Sequence, residues 1–168
     1  MPHRAWAWPE LDYPSWAPTL ATLHRWTQIV GKVRMQREPW LNHSWHVTLY
    51  LTSRGLTTGP MPDGHRTFQM DFDFIDHLLI TTTSDGRRDE LRLEPMSVAD
   101  FWRTFHERNR TLGVSTEIHP LPCEIPDAVP FHEDTEHAAY DGEAVSRFRD
   151  DVNAITLFLS WTFDPIGP

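Results

Sequence analysis

The sequence predicts an α+β fold, an antiparallel sheet of about four to five strands packed by two to three helices. Two observations predict it. Residues 44–52 and 66–74 alternate between apolar and polar side chains, which is typical of half-buried strands. Residues 19–35 and 98–112 carry apolar side chains at helical spacing. Because the strands follow one another through loops and turns, the pattern favours antiparallel pairing.

The length and composition of the chain limit its organisation. Its 168 residues predict a single domain over 1–168, with an aromatic and proline-rich N-terminal arm (about 1–18) and a proline-rich crossing segment (about 119–131). No apolar run is long enough to cross a membrane, and the N-terminus lacks the apolar stretch of a signal peptide. The single cysteine, Cys123, forms no internal disulfide, which favours a soluble cytoplasmic protein with an inert thiol.

The charge balance argues against one class of partner. Fifteen Lys and Arg face 24 Asp and Glu, so the chain is acidic with a formal net charge of -9. No basic stripe interleaved with aromatic residues is present. We therefore expect that nucleic acid is not a partner. Because no apolar run is long enough to cross a membrane, we also expect no membrane as partner.

The first elements follow from spacing. An amphipathic helix is predicted over about 19–35, ending near Gly31 or shortly after. In the next strand, 44–52, one face is apolar and the other is polar. The apolar face carries Trp45, Val47, Leu49 and Leu51, and the polar face carries His46, Thr48, Tyr50 and Thr52. Residues 53–65, rich in Gly and Pro, predict a loop of more than ten residues.

The strand at 66–74 is expected to be the antiparallel neighbour of 44–52, which would place His46 or Tyr50 on the same sheet face as Asp71. Its core face carries Phe68, Met70, Phe72 and Phe74. We expect Phe72→Ala to cost about 3–5 kcal/mol of unfolding free energy. The side chains expected to be buried together are Trp45, Leu49, Phe68, Phe72, Phe101 and Phe105.

The second half of the chain predicts further elements. Two more strands, 75–83 and 89–93, are joined by a turn at 84–86. Ser97, with Asp100 three residues later, predicts the start of a second helix that ends at Gly113. A short fifth strand is expected at 114–118 and a third helix from about Gly142, followed by a frayed tail.

One group of candidate catalytic residues lies on the polar strand faces, and comprises His46, Tyr50, Asp71 and Asp73. Paired carboxylates on one strand face are typical of acid–base or cation sites, although a solvated strand face has the same composition. His43 and His46 are an unfavourable metal pair, because an offset of three puts them on opposite faces of a strand.

The second group lies in the run HEDTEHAAYDGE, residues 132–143, and comprises His132, Asp134 and His137. These residues are candidates for acid–base catalysis and weak candidates for metal binding, while helix capping by the acidic residues is the alternative. We expect residues 132–141 to fold against the polar sheet face, with Ile125, Val129 and Phe131 anchoring the crossing segment. We predict no metal site, and the cofactor stays undetermined.

Four runs of the sequence carry a resemblance to a known family, over Trp8 to about Phe148. They are PWLNHSWHVTLYLTSRGLTT, DFDFIDHLLITTTSDG, SVADF and CEIPDAVPFHEDTEHAAYD. They resemble the bacterial family known as domain of unknown function 5996. The longer members continue after the third helix, so the resemblance implies that this chain corresponds to their N-terminal half. It implies no reaction, cofactor, partner or site residue.

These patterns favour a small-molecule-binding or catalytic domain with a polar His/Asp/Tyr cleft on one sheet face. The alternative is a non-catalytic protein–protein interaction or self-associating module that uses exposed Trp residues. A small molecule and a second copy of the chain are therefore the two expected partners. Catalysis and simple binding both stay open at this point.

Overall fold

The computed structural model describes residues 12–162, and within that range the side chains of 43–45 and 157–162 lie outside the description. The first eleven residues of the expected arm and most of the expected tail also lie outside the described residues. The helices are α1 (Tyr13–Arg37), a 3-10 helix (Asn42–Val47), α2 (Val98–Thr111) and α3 (Gly142–Thr162). The strands are β1 (Tyr50–Leu51), β2 (Gly55–Thr57), β3 (Met61–Asp63), β4 (Arg66–Asp73), β5 (Leu78–Thr83) and β6 (Arg88–Arg92).

The six strands form one open antiparallel sheet, which confirms the predicted α+β class. Its order is β1-β2-β4-β5-β6, and β3 also pairs with β4. The sheet has one strand more than the upper end of the expectation. The strands expected at 66–74, 75–83 and 89–93 are present as β4, β5 and β6.

The long loop expected at 53–65 is wrong, because β2 and β3 lie within it. Both strands pair with the same edge of β4, and the pairing register shifts by one residue between them. The shift leaves one more residue between β2 and β3 than on the facing stretch of β4, and Gly59, at φ 66°, lies in this connection. Asp63 pairs with Arg66, so only Gly64 and His65 form the turn into β4.

The strand expected at 44–52 is also wrong over most of its length. Residues Asn42–Val47 form a 3-10 helix, and β1 contains only two residues. Contacts with α1 and within the segment hold this turn: the Arg34 guanidinium donates to the His46 carbonyl at 2.9 Å. The Leu41 N–H donates to His46 Nδ1 at 3.2 Å. These contacts decide the conformation of the segment. The alternation of apolar and polar side chains in the sequence does not reveal them.

The first helix is longer than predicted at both ends. It begins at Tyr13, inside the segment expected to be an extended arm, and it continues past Gly31 to Arg37. Asp12 caps its start by accepting from the Ser15 N–H at 3.2 Å. Pro18 lies inside the helix near its start, where one missing N–H is less disruptive than in a helix centre.

The second helix begins as predicted. The Ser97 hydroxyl accepts from the Asp100 N–H at 3.0 Å and donates to the Asp100 carboxylate at 2.8 Å. The helix ends at Thr111, and Gly113, two residues later, adopts φ 70°. The fifth strand expected at 114–118 is wrong, because this segment runs beside α2 without pairing to a strand.

The core lies between the helices and one face of the sheet. Phe68, Phe72, Phe101 and Phe105 are buried together there, as expected, with Leu49 partly buried beside them. Trp45 lies outside the described side chains. Trp26 of α1 is fully buried and stacks on Phe101 with ring centroids 4.8 Å apart. The core therefore joins α1 and α2 to the even-numbered residues of β4.

The crossing segment, 119–131, contains no helix or strand, as its prolines predict. Phe131 anchors it in the core, whereas Val129 is exposed and Ile125 is only half-buried. Gln28 of α1 also holds the segment, because its amide pairs with both the N–H and the carbonyl of Cys123. The exposed Cys123 thiol lies 3.1 Å from the ammonium of Lys32, a residue that is largely buried.

Candidate functional site

The polar residues of the first candidate group do not form one cleft. The strands at 44–52 and 66–74 are not neighbours, since β2 lies between β1 and β4, and this pairing prediction is wrong. Tyr50 still shares a sheet face with Asp71, because Tyr50 pairs with Thr57 and Thr57 pairs with Asp71. His46 is not on the sheet and is buried beneath α1.

The side chains of this group are engaged locally. The Arg34 guanidinium carbon lies 4.8 Å from the Tyr50 ring centroid. Both carboxylate oxygens of Asp71 accept from the Gln69 amide at 2.9 Å. The outer sheet face therefore presents paired polar groups with no ligand-sized cavity among the four best-formed cavities of the described residues.

Asp73 is buried on the same face and stays charged. Its carboxylate accepts from Arg54 Nε at 2.5 Å and from the N–H groups of Ile75 and Asp76 at 2.9 and 3.1 Å. Burial raises the pKa of Asp73, but the Arg54 bond and the two N–H bonds outweigh it, so the pKa is lowered overall. This network ties the β4–β5 turn to residue 54.

The expectation that residues 132–141 fold against the polar sheet face is wrong. The segment is ordered, but it lies against α1 and the start of α2, on the other side of the sheet. The carbonyls of Asp134 and His137 accept from the Ala99 and Val98 N–H groups at 2.9 and 3.0 Å. The first N–H groups of a helix lack partners within the helix, and this segment supplies them.

Asp134 and His137 come together at the centre of that segment. His137 Nδ1 lies 3.0 and 2.9 Å from the two carboxylate oxygens of Asp134, which also accepts from Arg25 Nε at 3.1 Å. Burial raises the pKa of Asp134, but the backbone and side-chain bonds of His137, with the charge of Arg25, lower it overall. The carboxylate orients the imidazole, as in acid–base pairs.

A cavity of about 320 Å³ adjoins this pair. Glu133 and Glu136 line it together with Asp134, so its walls are mainly acidic, with Arg25 as the one cationic wall residue. No group of three His, Cys, Asp or Glu side chains in the described part of the chain could hold a metal ion. The weak metal candidates His132, Asp134 and His137 therefore do not converge on one metal position.

Tyr140 closes the far end of the segment. Its hydroxyl lies 2.9 Å from His77 Nδ1, and its ring stacks on Trp26 with centroids 5.6 Å apart. Burial raises the pKa of Tyr140, so the phenol stays protonated. These contacts pack the segment against the core.

A further cavity lies on the outer face of α2, and we name it the α2 groove. Its volume is about 620 Å³, and it opens toward a second hollow of about 420 Å³ that shares His106, Arg110 and Glu117. The residues lining the groove are Ala99, Trp102, Arg103, His106, Arg110, Glu117, Ile118 and His132. Of the candidates from the sequence, only His132 lies here.

His106 lies midway along the groove. Its Nδ1 is 2.6 Å from the Thr116 hydroxyl, and its ring meets the Trp102 ring edge-on with centroids 4.2 Å apart. Its Nε2 is buried and has no hydrogen-bond partner among the described residues. Burial, aided by the charge of Arg110, lowers the pKa of His106 to about 4, so the imidazole is neutral at neutral pH.

Sequence reasoning missed most of this groove. The pattern over 98–112 predicts an apolar helix face and singles out neither His106 nor Arg110. A signal is present, because Trp102, His106 and Arg110 recur every four residues and so share a helix face. The sequence predicts a strand at 114–118, which is the opposite wall of the groove. Because this prediction is wrong, the groove could not be predicted from the sequence.

The fold and the groove define the class: an α+β domain with an open antiparallel sheet, helices on one sheet face, and a ligand-sized groove outside α2. The profile of a family of unknown function, DUF5996, matches residues 8–162, and the chain belongs to this family. Comparisons with curated proteins and with solved structures find no significant match. None of the helices within 12–162 is long and apolar enough to cross a membrane.

Proposed function

We propose that this protein is a small-molecule-binding domain and that the α2 groove is its binding site. The observation that carries the proposal is the groove itself, where an aromatic wall, a neutral half-buried imidazole and a guanidinium without an acceptor among the described residues line one cavity. Its volume of about 620 Å³ matches that of ordinary ligand sites. A titratable group with a perturbed pKa, such as His106 beside the Trp102 ring, is typical of functional sites.

Asp134 and His137 support this proposal as positioning residues. Their hydrogen bonds hold the turn that follows His132, and His132 lines the groove two residues before Asp134. The cleft predicted on the sheet face is not part of the proposal. We propose binding alone and no reaction.

Blocking the groove tests the proposal. Ala99 lines the groove at its start, so Ala99→Trp fills it without removing a core side chain. Thr111→Trp adds the same bulk to an exposed position at the end of α2 and serves as the control. Both variants should retain a dispersed amide NMR spectrum.

Ligand-observed NMR with a fragment library should find fragments that bind the wild type and Thr111→Trp and lose binding to Ala99→Trp. If fragments bind Ala99→Trp and the wild type equally well, their binding site lies outside the groove. A library without a single binder to the folded wild type would contradict the proposal.

The interaction module is the second candidate, and one observation favours it. Trp40 is 72% exposed, and the neighbouring Leu41 is 48% exposed. A large exposed Trp is typical of interface hot spots. If the chain self-associates through this surface, sedimentation should detect a dimer that Trp40→Ser abolishes. A monomeric wild type at high concentration would contradict self-association.

Bacterial origin and a cytoplasmic location stay predictions from the sequence.

A further inference from the structure

We infer that the α2 groove takes a small aromatic monocarboxylate, with the carboxylate on Arg110 and the ring beside Trp102. The inference rests on the proposed function and names the ligand class of the same site.

The state of Arg110 is the first observation. Every other arginine in the described part of the chain has an acceptor for its guanidinium, either a carboxylate or a carbonyl. On the same helix, Arg103 donates to Asp100 at 2.6 Å and Arg108 donates to Asp89 at 3.1 Å. The guanidinium of Arg110 has neither an ion pair nor a hydrogen bond within 12–162. It is a planar donor fork suited to a carboxylate.

The position of Arg110 is the second observation. Four residues of α-helix rise about 6 Å, so Trp102, His106 and Arg110 follow one another along one face at that spacing. Long helical side chains lean toward the N-terminus, which carries the guanidinium of Arg110 over the turn of His106. The effect of the Arg110 charge on His106 agrees with this direction. Arg110 and Trp102 lie two turns, or about 12 Å, apart along the helix axis, so a ligand that contacts both would span the turn of His106.

The Trp102 ring supplies the aromatic surface. Phe131 stacks on it with ring centroids 5.6 Å apart, and this contact holds the indole in place. Trp102 remains half-buried and lines the groove, with His132 at a centroid distance of 6.2 Å. A flat ring fits between such walls, because stacked and edge-on aromatic pairs both stabilise it.

The charges of the groove restrict the anion. Arg103 is paired with Asp100, which leaves Arg110 as the unpaired cation of the groove and Glu117 as the anion of the opposite wall. Glu117 has no ion pair with a described residue, and it would repel a second negative charge on the ligand. A single carboxylate is therefore favoured over a phosphate dianion.

The test compares two probes with the same ring, phenylacetate and its neutral amide, phenylacetamide. Binding is measured by calorimetry and by the indole N–H shift of Trp102. In the wild type, phenylacetate should bind about tenfold or more tightly than the amide, since a charge-assisted bidentate contact is worth about 1.5–3 kcal/mol. Arg110→Gln should remove this difference, whereas Arg110→Lys should keep part of it.

Arg92→Gln is the matched control, because Arg92 is an exposed arginine of β6 outside the groove. It should leave both affinities unchanged. Glu117→Gln should strengthen phenylacetate binding, since it removes the repelling charge. An adventitious surface contact only would give equal losses in Arg92→Gln and Arg110→Gln, and would contradict the inference.

Two results separate this inference from the proposed function. If both probes bind equally well and Ala99→Trp abolishes both, the groove is a ligand site but its preference for a carboxylate is refuted. If neither probe binds the wild type at millimolar concentration, the aromatic carboxylate is refuted, and the fragment screen decides on the groove.

Discussion

The two faces of α2 contain similar numbers of large side chains and use them differently. The inner face buries Val98, Phe101 and Phe105 against the sheet and α1. The outer face places Trp102 and His106 in the wall of a cavity. The inner face is completed by contacts within the chain, whereas the outer face leaves space and an unpaired cation. This difference separates residues that hold the fold from residues available to a ligand.

The start of α2 joins the two faces. Two carbonyls of residues 132–137 accept from the first N–H groups of the helix, and the same residues place His132 in the groove wall. The same turn therefore stabilises the helix and shapes the candidate site. Changes at the inner face, the groove and this turn should have different sizes, and four measurements check the ranking.

The largest effect is expected on the inner face. Phe101→Ala and Phe72→Ala should each lower the free energy of unfolding by about 3–5 kcal/mol, because both rings are fully buried and their removal leaves a cavity. Urea denaturation measures this loss. Arg103→Ala, an exposed change on the outer face, should stay within about 0.5 kcal/mol of the wild type. Equal losses in all three variants would erase the distinction between the faces.

The second effect belongs to His106 and depends on pH. Its folded pKa of about 4 lies below its ordinary value, so the unfolded chain binds the proton first as pH falls. Above about pH 6.5 the imidazole therefore costs no stability. As pH falls from there toward about 4, the unfolded chain takes up the proton and stability is lost. Because the imidazole is only half-buried and partly screened by solvent, the loss should stay below the full equivalent of the pKa shift, at about 1–2 kcal/mol.

The difference in unfolding free energy between the wild type and His106→Gln, measured from pH 7 to pH 4, isolates this contribution from the other histidines. The wild type should lose more stability than the variant over that window. Parallel curves would show that the imidazole is not held neutral in the groove.

The third effect is at the turn between the faces. Asp134→Ala removes the acceptor of Arg25 and of two N–H groups, and it should cost about 2 kcal/mol. Thermal unfolding should also show the loss of order at His132. Glu133→Ala changes an exposed neighbour and should cost less than about 0.5 kcal/mol. A small effect of Asp134→Ala would mean that the helix start is held by other contacts.

The smallest effect is expected for Arg110→Gln. Its guanidinium has no acceptor within the described residues, so its removal should change stability by less than about 0.5 kcal/mol. Chemical denaturation of this variant measures the change. A loss above about 1 kcal/mol would mean that Arg110 is a structural residue, and it would remove the main support for an anion site.

Local patterns were sufficient where one physical requirement dominated. The alternation of β4 places Phe68, Met70 and Phe72 on the core face, because a strand buried on one side needs period two. Ser97 and Gly113 mark the ends of α2, because helix termini need a side-chain acceptor and a left-handed residue. The α+β class follows from these signals.

The same alternation misled where long-range contacts compete with it. Residues 44–47 alternate as clearly as β4, yet they form a 3-10 turn because Arg34 bonds the His46 carbonyl. For the candidate site, the pairing of Asp134 with His137 was within reach of sequence reasoning, since the two lie one turn apart. Its location against α1 was not, because Arg25 is more than a hundred residues away in the chain.

By itself, then, the sequence determined the class of fold, the ends of α2, the core face of β4 and the lack of helix and strand in 119–131. The tertiary structure alone decided which edge of β4 the segment 55–63 joins, where residues 132–141 dock and that a groove lies outside α2. The physical reason is range. Propensity, capping and periodicity act within a few residues, whereas the groove arises where 114–118 and His132 meet the outer face of α2.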